Sequence, residues 1–229
     1  MRVIEVVLIC LVAFGGSILI SLFMLCGHNY SMSPRDAFGW IVATVREGSM
    51  LGLLWYVLLR RGKSFHYLGL AWTWTDLGWS ILLRIAGGLA FTAVYQFIYV
   101  TGLTAVSHRA ASAHVGQLLF AGGISFATIL FQFVNPFFEE LIVRAYVMTE
   151  VKALTGSVAK AIIVSTVLQT GYHFYQGVPA ALAHGATFLI WSLYYAKTNR
   201  IAPVILAHLY SDLFSTLWYL IRQWSGTNW

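Results

Sequence analysis

Charge is scarce in this chain. Of its 229 residues only 10% are Asp, Glu, Lys or Arg, while 59% are hydrophobic and the mean hydropathy is +0.74. A water-soluble domain of this size needs more polar surface than that, so a soluble globular fold is excluded. Cysteine is nearly missing as well. Cys10 and Cys26 form neither a C-x-x-C pair nor a disulfide framework, so they define no thiolate metal site and say little about redox compartment. Internal repeats, low-complexity tracts and soluble-domain stretches are also lacking, which leaves a single membrane domain over 1–229 as the simplest organisation.

Long apolar runs are what the chain has instead. A bilayer core about 30 Å thick needs roughly 20 apolar residues per helix, and runs of that length recur from end to end. They predict an all-α polytopic transmembrane bundle with spans near 3–26, 37–60, 77–100, 116–150, 157–176, 178–197 and 201–222. The fourth is too long for one straight crossing. Asn135-Pro136 lies inside it, and the missing N–H of proline predicts a kink or a break there, which leaves an eight-helix count open. The first run is too long for a signal h-region and no A-x-A-like site follows it, while Leu25 before Cys26 argues against lipoprotein cleavage; a retained helix is expected. Trp and Tyr, nine and twelve in number, suit membrane interfaces, and FHYLGLAWTWTDLGW at 65–79 predicts an in-plane connector. The small-residue clusters at 15–16, 87–88 and 121–123 are expected to allow close helix approach.

Short cytoplasmic loops carry an excess of Lys and Arg. With the N-terminus inside, Arg2, Arg60, Arg61, Lys63, Lys152, Lys160, Lys197 and Arg200 are cytoplasmic, whereas only Arg35, Arg109 and Arg222 fall outside. The net charge of +6 therefore describes topology and gives no sign of nucleic-acid binding. The expected location is a prokaryotic inner membrane, multi-pass, with membrane lipid as the surrounding partner.

Against this background, NPFFEELIVRAY at 135–146 is costly. A charge at the centre of a membrane helix costs about 2.5–3.5 kcal/mol on insertion scales, so three unpaired ones would cost roughly 7–10 kcal/mol. Glu140 and Arg144, four apart, share a helix face and are expected to pair. Glu139 points about a quarter-turn away, free to act as a base. His173, His184, and the i,i+4 pair His208 and Asp212 add polar groups in the later runs. Carboxylates and imidazoles gathered in a bundle suit hydrolysis, one carboxylate taking a proton from water while imidazoles stabilise the developing oxyanion. The same Glu139, His173, His208 and Asp212 have the donor types for Zn²⁺ or another divalent metal, and the pattern does not separate the metal-free from the metal-dependent mechanism. No Ser or Cys stands in an evident nucleophile motif, which disfavours an acyl-enzyme.

The combination EELIVR (139–144), a histidine about thirty residues on, and HLYSD (208–212) resembles the CPBP family of intramembrane endopeptidases, which includes the type II CAAX prenyl endopeptidases and the Abi group linked to bacteriocin processing and self-immunity. The resemblance covers roughly 116–222, the core helices, with 1–115 as an N-terminal set. It implies Glu139 as the water-activating base, Glu140 with Arg144 as its supporting pair, His173 as a second catalytic group, and His208 with Asp212 holding the water or the oxyanion. It implies a membrane-associated peptide or protein as substrate. Two departures stand out. The family's middle motif is usually F-x-x-x-H, whereas Gln169 precedes His173 here, and Asp212 takes the place of the prenyl endopeptidases' Asn.

Blander roles accompany these. The Glu139, Glu140 and Arg144 set alone would serve as a buried ion-pair network, and Arg46, Glu47 and Arg84 are expected to close the bundle as a pair or triad rather than to line the substrate's path. Glu5 should reach the interface, Tyr172 and Tyr175 should pack, and His184 should stand behind the site. Counting residues puts Glu139 and His208 about 10–15 Å deep on the cytoplasmic side at about 1.5 Å per residue, with His173 displaced towards the far side. Two other functions fit the same residues: a non-catalytic immunity or partner-binding protein on this scaffold, motivated by Gln169, and a small transporter relaying protons. The orientation is testable with reporter fusions. Green fluorescent protein fused after Gly62 should fluoresce, and alkaline phosphatase fused after Gly102 should be active; the reverse pattern overturns the orientation.

Overall fold

The computed structural model describes residues 2–28, 35–102, 120 and 123–225. Among these the chain is helical with no strand. Seven helices follow one another: α1 (Arg2–Leu25), α2 (Ala37–Arg60), α3 (Thr75–Val100), α4 (Phe126–Thr155), α5 (Val158–Tyr172), α6 (Val178–Thr198) and α7 (Ala202–Trp224). Arg109, the start of the fourth expected span at 116, and residues 121–122 of the third small-residue cluster lie outside the described residues.

Local chemistry sets the helix ends. The Asp36 carboxylate accepts the Gly39 N–H at 2.8 Å to start α2. Ser125 and Thr128 cap α4 reciprocally, each side chain accepting the other's backbone N–H, which satisfies two of the donors a helix start leaves open. Ser157 caps α5 through the Lys160 N–H.

Pro136 neither breaks nor ends α4. The helix continues through it and widens into a π segment, Glu140–Tyr146, before returning to α geometry at Val147–Thr155. A π turn accommodates an extra residue and re-aims the side chains around it, and every residue of this segment is buried. α4 is the axis of the bundle. It packs against α2, α5 and α7, while α3 lies on α6 and α7, and α5 on α1 and α6.

Among the described residues five helices, α1 to α4 and α7, are long and apolar enough to cross a membrane. α5 is shorter than the expected 157–176: it stops at Tyr172, and a 3-10 turn, Phe174–Gln176, and Gly177 at φ +95° turn the chain into α6. Fifteen residues reach only about 22 Å at 1.5 Å each, short of the hydrocarbon core.

The connector expected over 65–79 is cut short by α3, which begins at Thr75, and what remains is packed against the end of α6 and the start of α7. A 3-10 turn, Phe65–Leu68, buries Leu68 completely, and Tyr195 donates its hydroxyl to the Leu68 carbonyl at 3.1 Å. Arg200 pairs with Asp76 at 2.6 Å, and the Ile201 N–H reaches the Gly69 carbonyl at 3.2 Å. Trp74, by contrast, is 89% exposed, in keeping with an interfacial anchor. At the same end of α2, Arg61 pairs with both Glu5 and Glu150, so Glu5 is held by an ion pair.

Of the glycine pairs, 87–88 does allow close approach: a Cβ on Gly87 would meet Thr187 Cγ2 at 2.7 Å. Gly15 and Gly16 do not, since nothing lies within 4 Å of a Cβ at either. Gly69 is the tightest position. At φ +76° a Cβ there would sit 1.9 Å from the Asn199 carbonyl oxygen, whereas Gly62, at φ +65°, has open space. Gly69→Ala should therefore lower the thermal midpoint in detergent well beyond Gly62→Ala, for which only the backbone strain of about 1 kcal/mol is expected. Equal midpoints for the two would refute the close packing of the connector on the α6–α7 turn.

Candidate functional site

Four helices converge on one buried ion pair. Glu140 and Arg144, on the π segment of α4, are both 0% exposed and bonded to each other. Arg144 also donates to Ser192 of α6 at 3.3 Å and to the Gln169 side-chain oxygen of α5. Glu140 is reached at 2.9 Å by His208 Nδ1 of α7. A carboxylate only accepts, so this ring nitrogen carries the hydrogen, which leaves Nε2 to face Asp212 Oδ1 at 3.8 Å. Arg144 lies over the Trp191 ring, 5.6 Å from its centroid, and that ring stands beside His208 at 5.7 Å.

Glu139 belongs to a different surface. It lines a cavity of about 640 Å³ whose walls also carry His173, His184, His208 and Asp212, while Glu140 and Arg144 are not on those walls. The expected separation of the two glutamates is thus found, with one refinement: Glu139 is not free. Its Oε2 accepts the Tyr172 hydroxyl at 2.7 Å and the Gln169 Nε2–H at 3.3 Å, and its Oε1 faces Asn135 Nδ2 at 3.4 Å.

His173 caps α5. Its Nδ1 is 2.7 Å from the Gln169 main-chain carbonyl, which can only accept, so Nδ1 again bears the hydrogen and Nε2 is left over. The ring packs on Tyr172 (4.6 Å), Phe188 (4.9 Å) and His184 (5.5 Å between centroids). The expected depth mismatch between His173 and the other groups does not occur. Because α5 ends at Tyr172, His173 sits at the turn and borders the same cavity as Glu139 and His208.

Tyr172, expected to pack only, is a donor to Glu139. Asn135, noticed only beside the proline, bonds Glu139 and also Glu47 Oε1 at 3.2 Å. Gln169 touches Arg144 and both glutamates. A helical signal existed for each. Asn135 and Glu139 are four apart, and Gln169, Tyr172 and His173 fall at i, i+3 and i+4. Arg46, Glu47 and Arg84 do not form the expected pair or triad: among the described residues no ion pair joins them. All three line the cavity, Arg46 reaching the Ala13 carbonyl at 3.4 Å and Arg84 lying over the Phe214 ring at 5.3 Å.

The metal expectation meets an unfavourable arrangement. Among the described residues no three His, Cys, Asp or Glu side chains are disposed to hold one ion. Both Nδ1 atoms are spent on protein acceptors, so Nε2 is the ring nitrogen each histidine could offer an ion, and that of His208 faces Asp212 Oδ1 at 3.8 Å. Glu139, His173, His208 and Asp212 all line the one cavity.

Residues 121–214 match the family model for type II CAAX prenyl endopeptidase, Rce1-like, which is consistent with the CPBP family and contains all six residues singled out above: Glu139, Glu140, Arg144, His173, His208 and Asp212. No curated protein and no solved structure matches the chain.

Breaking a buried pair leaves an uncompensated charge, at a cost of about 3–5 kcal/mol. Arg144→Met should accordingly lower the thermal midpoint sharply, and adding Glu140→Gln should restore part of the loss. An Arg144→Met midpoint at the wild-type value would show that the pair is not needed for packing.

Proposed function

With residues 121–214 matching a membrane-protease family, we propose that the chain is an intramembrane endopeptidase that hydrolyses a peptide bond of a membrane-associated peptide or protein, near the cytoplasmic face, by direct attack of water. The observation that carries this reading is the cavity shared by the Glu139 carboxylate and the imidazoles of His173 and His208. Water held there gives a proton to Glu139 as its oxygen attacks the carbonyl carbon. The proton then passes to the leaving nitrogen as the C–N bond breaks, and no acyl-enzyme forms.

The tautomers assign the remaining roles. With Nδ1–H given to a main-chain carbonyl, neutral His173 presents a lone pair at Nε2 and orients the attacking water. His208 donates from Nε2 to the oxyanion when it carries a second proton, and Glu140 on Nδ1 together with Asp212 beyond Nε2 compensates that charge. Arg144 in turn neutralises Glu140 when His208 is uncharged. Asp212 acts on His208 rather than on the oxyanion directly. The Tyr172 hydroxyl holds the Glu139 carboxylate in place.

Purified Glu139→Gln and His173→Ala proteins should fold yet lose cleavage of a hydrophobic peptide by about 10²- to 10⁴-fold. Assaying the same peptide with and without a C-terminal prenyl group reads out lipid recognition as well. Wild-type cleavage by both variants refutes the assignment. Gln169 in place of the family aromatic favours a second reading, a non-catalytic immunity or partner-binding protein; on that reading Glu139→Gln keeps the biological protection that the wild-type chain confers.

A further inference from the structure

Gln169 has no apolar role in this bundle. Its side chain is 0% exposed and is enclosed by charged groups from α4. A carboxamide offers one acceptor oxygen and two N–H donors, and here each is used. Oε1 accepts from Arg144 Nη2, while Nε2 lies 3.3 Å from Glu139 Oε2 and 3.3 Å from Glu140 Oε1. The main-chain carbonyl of the same residue accepts Nδ1–H of His173 at 2.7 Å. One residue of α5 thus touches the buried ion pair, the carboxylate on the cavity wall and the imidazole beside it.

We infer that Gln169 is a positioning residue: a polar strut that ties the Glu140–Arg144 pair to Glu139 and, through its backbone, to His173, where the resembled family carries an aromatic side chain. The inference rests on Glu139 being the base. The strut also selects the oxygen that does the work. Oε2 of Glu139 is bound by both Tyr172 and Gln169, whereas Oε1 has only the 3.4 Å contact to Asn135, so Oε1 is the atom left to take the proton from water. Without the Nε2–H the carboxylate can rotate about its terminal torsion, and a misplacement of about 1 Å at a reacting group costs on the order of 10²-fold in rate.

Gln169→Met has the same reach and no hydrogen-bonding amide, and it tests the strut directly. The expected result is a fall in kcat of about 10²-fold with KM within about twofold of wild type, in a protein that still unfolds cooperatively. Gln169→Asn, one methylene shorter, withdraws the amide from the carboxylates while keeping it polar, and the same loss is expected. It takes over as the test should the Met variant fail to fold. Infrared difference spectra supply a readout that packing alone would not move: the carboxylate stretches assigned with Glu139→Gln and Glu140→Gln should shift in both Gln169 variants. Wild-type kcat together with unshifted carboxylate bands overturns the inference. If Glu139→Gln cleaves at the wild-type rate, the base assignment falls and the positioning role falls with it; shifted bands would then still report the hydrogen bonds themselves.

Discussion

The buried Glu140–Arg144 pair is the constraint on which the rest depends. Neither charge can be left alone among apolar helices, and their mutual attraction repays desolvation only when the remaining donors and acceptors are also satisfied. The partners that satisfy them come from elsewhere: Gln169 on α5, Ser192 on α6 and His208 on α7. Satisfying the pair therefore draws four helices to one point, and the relative placement of His173 and His208 follows from it.

The π segment separates the two glutamates. Two adjacent glutamates on a regular helix would diverge by about 100°. Here the second begins a π stretch behind Pro136 and is swallowed by the bundle, while the first stays on the cavity wall. The Glu140–Arg144 pair lies off the cavity wall that carries Glu139 and is held by Gln169, Ser192 and His208.

Much of this was legible before any coordinates. The helical runs, the Glu140–Arg144 pairing and the proximity of His208 to Asp212 all follow from hydropathy and from i,i+4 spacing. What escaped were contacts between elements. Tyr172 was read as packing and Gln169 as a departure from the family motif because periodicity says which residues share a face and is silent on which neighbour that face meets. The end of α5 escaped because four further apolar or neutral residues lie beyond Tyr172, and only the turn at Gly177 shows the chain doubling back. Arg46, Glu47 and Arg84 were assigned to one another because a charge in lipid needs a partner; instead they line the cavity, with the Ala13 carbonyl, Asn135 and the Phe214 ring as neighbours.

By itself the sequence determined that this chain lives in lipid as a helical bundle and that its charges must gather, since isolated charges and unpaired backbone groups are too costly there. Tertiary structure alone decided which glutamate faces the cavity, which imidazole nitrogens remain available, and that a glutamine rather than a ring stands between them. Those outcomes turn on helix–helix register and on a π widening, differences of an ångström or two that no one-dimensional pattern encodes.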